Sequence, residues 1–151
     1  MTKNAPYLFD GPHWQIESVR DLEVFFSKLN AMVSSGSVIY LASGSASEEI
    51  TAFVNTHAQK YPGRERLPDE FNDAGRVPID RETMLALADF ATRHAESKIA
   101  IHLCVCAENR SVLEWYVLTD DPITVSISTP EGKIADLAAR CGVGFRNVQT
   151  N

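Results

Sequence analysis

The sequence has little cysteine, no long apolar run and no excess of basic residues. Three cysteines among 151 residues form no disulfide-like spacing, which favours a reducing, cytoplasmic setting. No apolar run approaches the ~18 residues that suggest a membrane helix, and the opening MTKNAPYLFDGPHW has no apolar core of a signal peptide. A net charge of −6 argues against nucleic-acid binding, which selects basic stripes. We therefore expect an acidic, soluble, cytoplasmic protein that binds neither nucleic acid nor a membrane.

The common nucleotide-binding motifs are also missing. Neither GxGxxG nor GxxxxGK[ST] occurs, and each of these motifs is the fingerprint of a phosphate-binding loop. No assembled set of nucleophile, base and acid is evident either. The sequence therefore predicts no cofactor, no metal and no catalytic residue, and its motifs resemble no family that we recognise.

The composition is that of an ordinary globular protein. Hydrophobic residues make up 44% of the chain and charged residues 23%, which is typical of soluble domains. A chain of this length buries roughly 68–70% of its unfolded surface. We expect residues 1–151 to form a single globular domain that needs no disulfide or structural metal for its stability.

Three consecutive strands are predicted between Lys98 and Ser128. Their segments KIAIHLCVCA, SVLEWYVL and ITVSIS are rich in β-branched and aromatic residues, which fit a pleated surface. Residues 108–110 have the length of a hairpin loop, and residues 120–122 form a turn in which proline presets φ. The spacing therefore predicts an antiparallel sheet.

The parity of the residue number separates the two faces of these strands, because side chains alternate along a strand. The even-numbered face is small and half-polar, as expected where antiparallel strands pack on one side only. The odd-numbered face is apolar, and we assign it to the core: Ile99, Ile101, Leu103, Val105, Leu113, Trp115, Val117, Ile123, Val125 and Ile127.

About four helices are predicted around this sheet. The first has Ser18 as its N-cap and ends before Gly36, and the second starts in a capping box of Ser45 and Glu48. Asp80 caps the third. The last helix is bounded by Thr129 as N-cap, Pro130 at N1 and Gly142 just past its end.

Further strands are predicted at residues 13–16, 37–42 and 143–148, the first in a short hairpin with residues 7–9. The run at 37–42 does not alternate, so we expect it to lie centrally, covered on both faces. Residues 62–79 break all periodicity and are predicted to form a long loop. The fold class is therefore α+β, a mixed α/β arrangement with a largely antiparallel sheet covered by helices.

The even-numbered face of the sheet is the first candidate site. We select His102, Cys104 and Tyr116 as binding residues, because an aromatic set among small residues suits the middle of an interface. Three alternatives remain open for this face: a helix of the same chain covers it, another subunit covers it, or it forms a ligand pocket.

Two loops are further candidates. Ser43, Gly44 and Ser45 precede a helix, where backbone N–H groups can bind an anion, although simple helix capping is the commoner cause of such a pattern. The 62–79 loop alternates its charges. It is either a solvated loop or a recognition loop, in which case the binding residues are its arginines: Arg64, Arg66 and Arg76.

The favoured hypothesis is a small, non-catalytic module that binds a protein partner or associates with itself as a homodimer. Two alternatives belong to other classes. One is a small enzyme with an acid–base pair at His102 and Glu114, whose cross-strand placement allows hydrogen-bond reach. The other is a small-ligand or anion sensor that uses the Ser43–Ser47 loop.

Overall fold

The computed structural model describes residues 11–34, 36–42, 48–57, 75–94, 100, 102–107, 110–117, 119 and 121–149. Four helices lie in this part of the chain: α1 Leu22–Met32, α2 Glu48–His57, α3 Arg81–Arg93 and α4 Glu131–Cys141. The strands are β1 His13–Ile16, β2 Val38–Ala42, β3 Gly75–Pro78, β4 His102–Ala107, β5 Arg110–Trp115, β6 Ile123–Ser126 and β7 Phe145–Val148.

All seven strands belong to one sheet, in the order β3-β2-β4-β5-β6-β1-β7. Every neighbouring pair is antiparallel. Strands β4, β5 and β6 are consecutive in both sequence and sheet, as their short connections require. The predicted α+β fold with a largely antiparallel sheet is therefore confirmed.

The odd-numbered face of the three central strands is the core face, as predicted. Seven of the assigned residues are at most 5% exposed: Leu103, Val105, Leu113, Trp115, Val117, Ile123 and Val125. Ile127 is an error of the sequence analysis, because β6 ends at Ser126 and Ile127 is 43% exposed in the turn that follows. Ile99 and Ile101 lie outside the described residues.

Helices cover this core face. Each of the four contributes to the main hydrophobic cluster, for example Leu29 of α1, Ile50 of α2, Leu87 of α3 and Ile134 of α4. The Phe25 ring lies 5.0 Å from the ring of Trp115 on β5. The core therefore sits between one face of the sheet and the helical layer.

A β-bulge interrupts the pairing of β4 with β5. Val105 lies opposite Leu113, but the next residue, Cys106, lies opposite Ser111. Val112 is thus the extra residue, and its half-buried side chain packs against the main core. A bulge re-aims the side chains around it, and here it lies at the end of the sheet where α1 finishes and α4 begins.

The predicted helix starts need two corrections. The N-cap of α1 is Asp21 and not Ser18, because the Asp21 carboxylate accepts the N–H groups of Glu23 and Val24. The N-cap of α4 is Pro130, one residue later than Thr129, and it provides no side-chain cap.

Other helix ends agree with the sequence. The Asp80 carboxylate caps α3 by accepting the Thr83 N–H at 2.7 Å. Gly142 ends α4 with a left-handed φ of 71°, a conformation that glycine adopts without steric cost. Ser45 of the predicted capping box lies outside the described residues.

The predicted loop at residues 62–79 is wrong at its end, where residues 75–78 form β3. Strand β2 explains this result. All five of its side chains are buried, as expected for a central strand, and its backbone therefore needs a partner on each side. β3 supplies one and β4 the other. Residues 58–74 and 7–9 lie outside the described residues, and β1 pairs with β6 and β7.

Among the described residues, no helix is long and apolar enough to cross a membrane.

Two isoleucines test the assignment of faces. Ile123 is fully buried and Ile127 is 43% exposed. We expect Ile123→Ala to lower the free energy of unfolding by about 2–5 kcal/mol, because it leaves a cavity in the core. Ile127→Ala is the matched control and should change it by about 0.5 kcal/mol or less. Urea denaturation measures both, and equal losses would contradict the assignment.

Candidate functional site

The even-numbered face of the central strands continues across the sheet as a row of mostly polar side chains that crosses all seven strands. Each neighbouring pair in the row is a directly opposed pair in the sheet. We call it the cross-sheet row, and its members in order from β3 to β7 are Arg76, Tyr40, Cys104, Glu114, Thr124, Gln15 and Arg146. The row ends in an arginine at each edge of the sheet.

The centre of this face is buried. His102 is 1% exposed, Cys104 0% and Glu114 2%. A second hydrophobic cluster lies here, formed by Val38, Tyr40, Ala42, Cys104 and Cys106, and no residue of the described helices belongs to it. The sequence left open whether a helix of the chain, another subunit or a ligand covers this face. The structure instead leaves His102 and Cys104 almost no exposed surface.

A buried acid–base pair lies at the middle of the face. His102 Nε2 is 2.9 Å from Glu114 Oε2, and the Tyr116 ring stacks on the imidazole at a centroid distance of 3.9 Å. Glu114 Oε1 is buried and has no hydrogen-bond partner among the described residues. The geometry allows a proton to pass between His102 and Glu114. Their expected proximity on one face is therefore realised.

Two thiols lie beside this pair. Cys104 Sγ is 3.7 Å from Cys106 Sγ. The hydrogen bond with Cys106 and then burial raise the pKa of the Cys104 thiol well above its ordinary value, and the charge of Glu114 adds to the effect. Since the thiolate is the reactive species, this environment suppresses nucleophilic chemistry at Cys104.

The remaining predicted binding residues do not lie together at one site. Tyr116 is half-buried, in its stack with His102. Arg76 lies on β3, where its guanidinium carbon is 5.9 Å from the centroid of the Tyr40 ring, within the range of a cation–π contact. The other predicted residues lie outside the described part of the chain and stay predictions: Arg64, Arg66, Ser43, Gly44 and Ser45.

Neither of two cavities lined by described residues contains His102 or Glu114. A substrate would have to reach within about 3 Å of the acid–base pair. Within the described residues there is also no group of three histidine, cysteine or acidic side chains that could hold a metal ion. The buried pair therefore has the geometry of a catalytic dyad without an access route formed by these cavities.

The sequence analysis predicted neither of the two cavities. The first measures about 480 Å³ and lies where β7 begins, beside Gly144, Phe145 and Arg146. The second measures about 270 Å³ and lies between the β4–β5 hairpin and the start of α4. Both join segments far apart in sequence, and no local pattern signals such a junction.

Comparison of the chain with protein-family models, with curated proteins and with solved structures finds no match in any of the three.

A double-mutant cycle tests the buried pair. We expect His102→Leu to lower the free energy of unfolding by about 3–5 kcal/mol, because it leaves the Glu114 carboxylate buried without its partner. Adding Glu114→Leu should restore part of that loss, with a coupling of about 0.5–3 kcal/mol. Chemical denaturation of the four proteins measures the cycle. Strictly additive losses would contradict a direct interaction.

Alkylation of the three cysteines tests the environment of the thiols. Burial raises the pKa of the half-buried Cys141 thiol, and Asp21 adds to the shift. We expect iodoacetamide to modify Cys141 slowly in the native protein. Cys104 and Cys106, both fully buried, should react only after unfolding in urea. Mass spectrometry of labelled peptides measures the order, and native modification of Cys104 as fast as that of Cys141 would contradict it.

Proposed function

We propose that this protein is a non-catalytic module that associates with a second copy of itself through the edge of β7, which has no further neighbouring strand in the described part of the chain. The observation that carries the proposal is the pattern of backbone hydrogen bonds along that edge. β7 is the last strand of the sheet in the described part of the chain, and it pairs there with β1.

The pairing of β7 with β1 fixes which backbone groups point outward. Gly144 lies opposite Glu17 in the same register, and the Glu17 N–H donates to the Gly144 carbonyl at 3.0 Å. Bonded and non-bonded pairs alternate in an antiparallel ladder. Arg146 therefore bonds to β1, whereas the N–H and C=O groups of Phe145 and Asn147 face away from it.

The two edges of the sheet differ in their protection. At the opposite edge, β3 carries Pro78 and the half-buried Arg76, and proline at an edge strand blocks further pairing. β7 contains neither proline nor lysine. An unprotected edge is the usual template for the addition of another strand.

The outward groups are self-complementary. A two-fold axis that runs between the two β7 strands at Asn147 places Asn147 of one copy opposite Asn147 of the other. Phe145 then lies opposite Gln149. All three residues lie at alternate positions, so each can use its outward backbone groups in an isologous pairing. Arg146 then lies opposite Val148 of the second copy, which keeps the two arginines from facing each other.

The first cavity lies where the two copies of β7 would meet in this pairing. It is lined by Gly144 and Phe145 at the start of β7, and the antiparallel arrangement brings the end of the second copy's β7 next to it. Strand addition gains affinity from backbone bonds and specificity from pockets for alternate side chains. The Gln149 side chain of one copy would therefore lie next to the cavity of the other.

Sedimentation equilibrium tests the association. From about 10 µM to about 1 mM protein, we expect the average mass to rise from the 16.7 kDa of one chain towards twice that value, since a few backbone bonds of about 1 kcal/mol each give weak binding. A single mass of one chain throughout that range would refute the proposal.

A pair of variants at Asn147 separates the backbone from the side chain. Asn147→Pro removes the outward N–H but no ladder bond to β1, so we expect the dissociation constant to rise roughly 10- to 100-fold. Asn147→Ala keeps the N–H and should leave association within about threefold of the parent. Amide spectra confirm that both variants fold. Equal effects of the two variants would exclude pairing through this edge.

A further inference from the structure

The second cavity lies at a junction of four elements. It is bounded by the end of α1, the β4–β5 hairpin, the turn after β6 and the first turn of α4. Its volume is about 270 Å³, just below the range of about 300–1,000 Å³ for sites of drug-sized ligands. A small molecule or ion fits such a space.

Among the described residues, the charges that line this cavity are positive. Arg110 and Lys133 are the two charged residues there, and no acidic side chain of the described part of the chain lines it. Arg110 forms no ion pair with a described residue, and the only bond of the Lys133 ammonium in that part of the chain is a 3.4 Å contact with the Ala31 carbonyl. In a protein with a net charge of −6, two cations without an acid on one small cavity favour an anion there.

Serine and threonine residues make up the remaining polar lining: Ser34, Ser111, Ser126, Ser128 and Thr129. The hydroxyls of Ser126 and Ser128 bond to each other at 2.8 Å. Thr129 is only 9% exposed. Its backbone bonds to Trp14 and Ser126, but its hydroxyl has no hydrogen bond with any described residue. Thr129 lines the cavity, so a ligand there would give this hydroxyl a partner.

The first turn of α4 adds partial positive charge to the same space. Pro130 and Lys133 both line the cavity, and Pro130 gives the helix no side-chain cap. Pro130 has no N–H, and the Lys133 N–H donates to the Pro130 carbonyl at 3.0 Å, so the turn contributes the positive end of the helix dipole and not a free backbone donor. The exposed Glu131 on this turn does not line the cavity.

We propose that this cavity binds a small tetrahedral oxyanion of the phosphate class, held by Arg110, Lys133 and the Thr129 hydroxyl beside the start of α4. A phosphate offers several acceptor oxygens, which suits two cations and a hydroxyl donor better than a single carboxylate does. The site is separate from the β7 edge, so it does not depend on the proposed self-association.

Titration of the full chain with inorganic phosphate at constant ionic strength tests this site. We expect saturable shifts of the backbone amide signals of Ser128, Thr129, Gly132 and Lys133. Methyl phosphate should produce the same shifts, since the cavity would hold the phosphate group itself. Shifts that grow linearly with phosphate, or that spread over all basic residues of the chain, would overturn the proposal.

Charge variants assign the binding to this cavity. Lys133→Met and Arg110→Met should each raise the dissociation constant for inorganic phosphate at least about tenfold, because each removes one charge-assisted contact. Arg93→Met on α3 removes the same charge from a surface ion pair with Asp89 and should leave the constant unchanged. Equal weakening by all three variants would mean that only the net charge matters, which contradicts a specific site.

Thr129→Val separates binding from folding. The variant keeps the shape of the side chain and removes a hydroxyl that has no described partner. We expect the melting temperature without phosphate to stay the same or rise, and the increase caused by phosphate to shrink. Unchanged phosphate stabilisation in Thr129→Val would remove the hydroxyl from the site, and absence of any stabilisation in the parent protein would remove the site itself.

Discussion

The antiparallel register of the central strands is the constraint on which the rest of the structure depends. It places Cys104 between Tyr40 and Glu114 and, one residue away, Val105 between Ile39 and Leu113. Both sets are buried, so a shift of one residue would exchange a polar row with an apolar one. Because the side-chain period of a strand is two, such a shift would bury Glu114 against the helices.

The polar centre of the other face follows from the same register. Glu114 meets His102 there, and the bulge at Val112 then changes the pairing so that Ser111 lies opposite Cys106. Packing around these groups leaves little space. Within the described part of the chain, the two proposed binding surfaces lie where regular pairing stops, at the outer edge of β7 and at the junction of the β4–β5 hairpin with α4.

Local patterns in the sequence predicted which face of each central strand is buried, but not the order of the strands in the sheet. Alternation identified Leu113, Trp115 and Val125 as core residues, because parity is a property of each strand alone. The insertion of β1 between β6 and β7 joins segments more than 100 residues apart, and no local signal encodes it. β3 was missed because Pro78 ends it and glycine begins it, both of which are typical of loops. The cavity at Thr129 depends on such long-range contacts too.

Cross-strand nuclear Overhauser effects test the register most directly. The account predicts contacts between the backbone protons of Cys104 and Glu114, and between those of Trp14 and Asn147, since these residues are directly opposed. Contacts that instead pair Cys104 with Leu113 or Trp115 would contradict it. Such a result would place Glu114 on the helical side and remove the buried pair with His102.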